Sequence, residues 1–230
     1  MNKSSKVPSW TQQFVYRSEK TRTTWKFRIG LVVVIVAVVW LTRGWWTVAI
    51  ASSLVCESNA APSDAILVEN FDPPEYLAFE RAERLRRNGM AARVLVPVWV
   101  DADTSHINEV SRGTTEVMAK IAHLGEIDIV PVRQVEPISL NTARDVLRFV
   151  EQEHIRSVIV VSPLFRSRRS ALVSDATFRR AGVRVTCDPV EGIRGVKTWT
   201  ESWHGLQEVA EQLLKLQYYK LYVLPFRAAR

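Results

Sequence analysis

The sequence predicts an open, mostly parallel α/β sheet of about five strands with helices on both faces. Short apolar runs alternate with stretches of helical periodicity from residue 64 to residue 223. Several runs, such as AILV at 65–68 and VIVV at 158–161, are continuously apolar, as strands covered on both faces are. Gly89, Gly125 and Gly182 stand where the helical stretches should end. Such alternation is the signature of a parallel sheet with crossover helices.

The chain opens with a basic tail, residues 1–28. Its seven cations (Lys3, Lys6, Arg17, Lys20, Arg22, Lys26 and Arg28) against the single Glu19 leave the rest of the chain with +1 of a net charge of +7. The folded part therefore has no basic excess suited to nucleic acid. Residues 29–40 are almost wholly apolar, and apolar character resumes after Thr42-Arg43-Gly44. About 20 residues cross a bilayer, so one transmembrane helix is expected over 29–50. Trp40, Trp45 and Trp46 would form an interfacial belt, and Arg43 would snorkel. The basic flank places the N-terminus in the cytoplasm and the remainder outside, in the periplasm of a Gram-negative cell. The flank is long for a cleaved signal peptide, which favours a permanent single-pass anchor in the cytoplasmic membrane.

A linker is read at 51–63 and a folded domain at 64–230. Within it, a strand at 65–68 is followed by a break at Pro73-Pro74. A helix over 75–88 carries Leu77, Ala78, Ala82 and Leu85 on one face. Next come a strand at 93–100, a polar loop at 101–107, a helix over 108–124 and a strand at 127–132. A helix over 139–153 leads to the strand at 158–161. A helix ending at Gly182, a strand at 183–187, a loop at 188–198 and a closing helix over 203–223 complete the domain. No internal repeat is visible.

Ligands of such sheets sit beyond the carboxyl ends of the strands, where strand order reverses. The residues expected there are Glu69 and Asn70 after the first strand, and Glu136, Ser139, Asn141 and Thr142 after the third. Ser162, Arg166, Arg168 and Arg169 follow the fourth, and Asp188 the fifth; Trp199 and His204 come later. Three arginines at a helix start are unfavourable beside its partial positive charge unless an anion shares the site. They would hold a phosphate, with Ser139, Asn141 and Thr142 orienting it. Glu69, Glu136 or Asp188 would serve as base or metal ligand. Plainer readings stand beside these: Ser139 and Asn141 as helix caps, Thr142 with Asp145 as a capping box, and Asp188-Pro189 as a turn.

No G-x-G-x-x-G, Walker or G-x-S-x-G motif occurs, and the four histidines are scattered, so no metal site is assigned. Cys56 and Cys187 fit no zinc or C-x-x-C spacing. A disulfide in an oxidising compartment and two unrelated thiols both remain open.

Glu136-Pro137-Ile138-Ser139-Leu140-Asn141-Thr142-Ala143, the run from Val160 through Ser162-Pro163-Leu164-Phe165-Arg166-Ser167-Arg168-Arg169, Trp199, and Lys215-Leu216-Gln217-Tyr218-Tyr219 resemble the YdcF/SanA/ElyC family. The resemblance implies a Rossmann-like domain behind one membrane anchor, with roles in envelope integrity and in peptidoglycan or lipid-carrier metabolism. It also implies S-adenosylmethionine binding in at least one member, and no common reaction. Glu69-Asn70-Phe71-Asp72 replaces the family's glycine-rich turn, and Arg166 replaces a histidine. Arg144-Asp145 replaces a Glu-Asn pair. An arginine at 166 keeps charge and excludes proton transfer there.

The expectation is a membrane-anchored, envelope-facing domain that binds an anionic, phosphorylated ligand. A lipid-linked phosphate is one such partner, and the polysaccharide, peptidoglycan or lipid-carrier pathways are the setting. A non-catalytic assembly scaffold and an S-adenosylmethionine or nucleotide binder are the alternatives. No cofactor is named, and transfer or hydrolysis of a phosphoryl or glycosyl group is left open.

Overall fold

The computed structural model describes residues 24–69, 76–101 and 106–227, in two compact units that divide after Arg43. In the first unit, α1 (Trp25–Leu41) starts at Thr24, whose hydroxyl accepts the Phe27 N–H, and none of its residues is buried. It ends at Thr42, whose hydroxyl donates back to the Val38 carbonyl at 2.7 Å. The expected single helix over 29–50 is therefore not formed. The 17 residues of α1 rise about 26 Å, against a hydrocarbon core of about 30 Å. No single described helix is long and apolar enough to cross a membrane. α1 and α2 (Arg43–Ser52) meet that test only together, by length and composition.

From Gly44 onward α2 belongs to the second unit. Ala51 and Leu54 are buried in one cluster with Phe165, Trp199, Val209 and Leu216. The stretch read as a linker is fastened down along much of its length. The Cys56 N–H donates to Ser167 Oγ at 2.9 Å, and Cys56 is disulfide-bonded to Cys187. Asn59 exchanges two hydrogen bonds with the Cys187 backbone, its N–H donating at 3.1 Å and its side chain accepting at 2.9 Å.

Five strands form one sheet: β1 (Ala65–Val68), β2 (Arg93–Val100), β3 (Asp128–Arg133), β4 (Ser157–Pro163) and β5 (Arg184–Val190). All neighbours are parallel, in the order β3-β2-β1-β4-β5. Ala65, Leu67, Val158 and Val160 face one core with α5 (Ile138–Gln152) and α6 (Ser167–Phe178). Ile66, Val68, Ile159 and Val161 face the other with α3 (Tyr76–Arg87) and α4 (Glu109–Ile121). Period-two alternation between two apolar cores is why β1 and β4 read as unbroken hydrophobic runs. Strand order reverses between β1 and β4, so the carboxyl edge opens there.

Gly89 and Gly182 take the left-handed conformation after their helices, but α4 ends earlier than expected. His123 (φ 57°) takes the first left-handed position after it, two residues before Gly125.

α7 (Trp203–Tyr218) passes through one π-helical segment, Tyr219–Val223, into α8 (Leu224–Arg227). Its buried stripe is Gly205, Val209, Gln212, Leu216, Tyr219 and Val223. Gly205 is required by packing: a Cβ there would stand 2.1 Å from the Trp199 carbonyl oxygen. Gly205→Ala is expected to destabilise the domain by about 2 kcal/mol through overpacking. A lowered urea midpoint at unchanged m-value would show it; an unchanged midpoint would mean that the Trp199 turn yields freely.

Candidate functional site

The residues after β1, β3 and β4 converge above the β1–β4 reversal, on the α5/α6 side. An open groove of about 460 Å³ lies there, walled by Trp99, Ser139, Arg166, Arg169, Tyr218 and Tyr219. Gln134, Glu136, Ile138, Glu211 and Lys215 complete the rim. Adjoining it is a chamber of about 30 Å³, lined in part by Glu69, Trp99, Ser139, Thr142 and Ser170. Trp99 and Ser139 belong to both walls.

Arg169 is the centre of this arrangement. It is 6% exposed, yet no carboxylate hydrogen-bonds it among the described residues. Its guanidinium donates to Ser139 Oγ at 2.6 Å and to Gln212 Oε1 at 3.2 Å. It lies 5.5 Å from the centre of the Tyr219 ring, and its buried Nε–H has no partner. Burial pushes the Arg169 pKa below its ordinary value, and the charge of Glu69 opposes that only in part. A buried cation held by neutral groups, with one donor unmet, is under-neutralised. Arg166, half-buried on the 3₁₀ turn Leu164–Arg166, lines the same groove.

Ser139 accepts from Arg169 and so retains its own O–H as a donor. Its backbone N–H donates to the Tyr219 hydroxyl at 3.0 Å. α5 begins after Pro137 with no side-chain cap, which removes the capping reading for Ser139 and Asn141. The Asn141 side chain instead donates to the Val135 carbonyl at 3.0 Å. The Thr142–Asp145 capping box does not form either. Thr142 Oγ1 is buried without a partner and faces the chamber. Asp145 is buried among the Arg133 backbone N–H, the Arg133 guanidinium and Arg148. Glu69 accepts from Ser170 Oγ at 2.6 Å. Glu136, on the rim, accepts the Ile138 N–H at 3.3 Å. On the far wall, Lys215 donates to Glu211, and that bond first of all holds the Glu211 carboxyl below its usual range.

The other sequence candidates lie elsewhere. Arg168 is exposed, and its backbone N–H ties down the Leu54 carbonyl at 3.0 Å. Asp188 falls inside β5, not after it, because the strand runs on to Val190. Both its oxygens accept from Arg81 of α3, at 2.7 and 3.1 Å, on the sheet face opposite Arg169. Hydrogen bonding to Asp188 raises the Arg81 pKa, so this carboxylate already serves an ion pair. Ser162 is fully buried in β4 and lines neither cavity. Trp199 seats α2 by donating to the Thr47 carbonyl at 3.2 Å, and His204 is exposed on the first turn of α7. Asn70 lies outside the described residues. No group of three or more His, Cys, Asp or Glu among the described residues could hold a metal ion.

Sequence reading missed Trp99, Ser170, Glu211 and Gln212. Gln212 did leave a signal: it is the one polar side chain on an otherwise apolar stripe with 4-3-4-3-4 spacing. Comparison of the chain with protein families, curated proteins and solved structures returns no match.

Proposed function

We propose that this chain is a membrane-anchored, envelope-facing protein of the YdcF/SanA/ElyC type whose groove binds a phosphorylated ligand. The observation that carries the reading is Arg169: a buried guanidinium with neutral partners, one unmet donor and an open groove before it. A phosphoryl group fits that need, since its several charged acceptors can meet Arg169, Arg166 and the Ser139 hydroxyl together. Position at the strand-order reversal supports the same site. Glu69, beside Arg169 and hydrogen-bonded to Ser170, is the carboxylate best placed to take a proton from a nucleophile. Asp188 is not, being committed to Arg81 across the sheet.

The anchor is assigned to the apolar stretch that opens with α1, which has the length and composition of a span only together with α2, with Trp40 and the flanking Lys26, Arg28 and Arg43 reaching the interfaces. A short span is accommodated by such snorkelling and by local thinning of the bilayer. The basic tail favours a cytoplasmic N-terminus. The Cys56–Cys187 bridge favours an oxidising compartment for the domain. Cell-envelope, peptidoglycan, polysaccharide or lipid-carrier metabolism is the setting this implies.

Calorimetric titration of the detergent-solubilised full chain with inorganic pyrophosphate tests the binding reading. Arg166→Ala, at a half-buried position that should still fold, is expected to weaken binding about tenfold or more, the equivalent of one charge-assisted hydrogen bond. Arg168→Ala is expected to leave it unchanged. Absence of pyrophosphate binding, or equal losses in the two variants, would refute the site.

A further inference from the structure

The groove's outer wall continues into a surface that its chemistry does not use. Tyr218, Tyr222 and Phe226 form a ladder along the end of α7, the π-helical segment and α8. Ring centres are 5.6 Å apart from Tyr218 to Tyr222 and 5.9 Å apart from Tyr222 to Phe226. Leu221 (67% exposed), Leu214 (72%) and Phe226 (64%) extend it as one apolar ridge. Tyr218 is the first rung of this ladder and also lines the groove. Between residues 214 and 227 there is no acidic residue, while Lys215, Lys220 and Arg227 are interspersed. Arg227 lies 5.9 Å from the centre of the Tyr222 ring.

We propose that this ridge rests on the surface of an anionic lipid bilayer and brings the mouth of the groove to the headgroup layer. Tyrosines with an apolar body and a polar tip, leucine and phenylalanine on one face, and flanking Lys and Arg are the composition of an interfacial helix. Lysine is depleted from protein–protein interfaces, and Lys220 and Arg227, with no acidic residue between 214 and 227, suit anionic lipid. The inference rests on the anchored reading above, because the domain follows α1 in the chain without a spacer. It narrows the ligand class: a phosphate presented at a membrane surface reaches Arg166 and Arg169 past Tyr218 without the domain leaving the lipid.

Both cysteines are consumed by the disulfide, so Leu221→Cys supplies a unique thiol for a nitroxide. The full chain is reconstituted into vesicles of phosphatidylcholine and phosphatidylglycerol. The label at 221 is expected to be relaxed more by oxygen than by a water-soluble nickel chelate. A label at Lys120→Cys, exposed on α4 across the sheet, is expected to show the reverse. Omitting phosphatidylglycerol should shift the 221 label toward water. Equal behaviour of the two labels overturns the proposal. So does an apolar signature at 221 that disappears as protein is diluted in lipid, since the ridge would then be covered by a second copy. Carbonate extraction of the same vesicles reads the anchor separately, and pyrophosphate titration reads the groove, so failure of the ridge is distinguishable from failure of either.

Discussion

Replacing Cys56 and Cys187 together by serine is expected to lower the folding free energy of the domain by about 4 kcal/mol. The bridge spans 131 residues of sequence, and the chain-entropy cost of leaving so long a loop unclosed is about 4–5 kcal/mol. That is a large share of a domain stability of about 5–15 kcal/mol. The loss also has a local component. Cys56 lies between Leu54, buried against Phe165 and Trp199, and Asn59, hydrogen-bonded to Cys187. Without the bridge, the segment joining α2 to β1 should open first and lose amide protection before the sheet does. Urea unfolding of the wild type with and without reductant, beside the double serine variant, measures this. The reduced protein and the variant should share a lowered midpoint. Coincidence of the oxidised and reduced curves would show that the bridge contributes nothing.

Asp145→Asn is the second large effect, expected to cost about 3 kcal/mol. The carboxylate side chain is 3% exposed and accepts from the Arg133 backbone N–H at 2.9 Å, from the Arg133 guanidinium at 2.8 and 3.2 Å, and from Arg148. An amide can accept only part of this set, and charge-assisted bonds are lost outright. The pair joins the end of β3 to the middle of α5, so it also sets where Ser139 and Thr142 stand. Burial raises the Asp145 pKa, but the bonds from Arg133 and Arg148 outweigh it and hold the carboxyl below its usual value. A depressed folded-state pKa contributes stability that is complete above the unfolded value of about 3.9 and is lost as pH falls through the folded one. Stability of the wild type should therefore fall below about pH 4, and Asp145→Asn should flatten that limb. Asp64, lowered chiefly by the Arg156 N–H and then by the Ser157 hydroxyl, contributes in the same direction and will remain in the variant. An acid limb of unchanged steepness in Asp145→Asn would exclude this account.

The sheet was legible because its signals are local. Continuous apolar runs at 65–68 and 158–161 and the helical stretches between them mark a parallel α/β fold without any knowledge of contacts. Strand ends were less so: β5 carries Asp188 within it because its ladder with β4 extends through Ser162↔Pro189 and Pro163↔Val190, a pairing no local pattern announces. Three neighbouring arginines looked alike in sequence, yet the helical turn sends Arg169 inward and Arg168 to solvent, while the preceding 3₁₀ turn leaves Arg166 on the groove. Spacing alone could not separate them, since the element boundary at Ser167 fixes which face each one occupies.

Sequence alone determined the alternation of elements and the concentration of charge in the tail, because these follow from residue type and period along the chain. Tertiary structure decided which residues share a site: that Arg169 meets Ser139 and Gln212, that Asp188 belongs to Arg81, that the cysteines pair, and that the apolar ridge of α7 remains uncovered. The first three depend on side chains separated by 30 to 131 residues arriving within bonding distance, which only the packing of helices on the sheet can arrange.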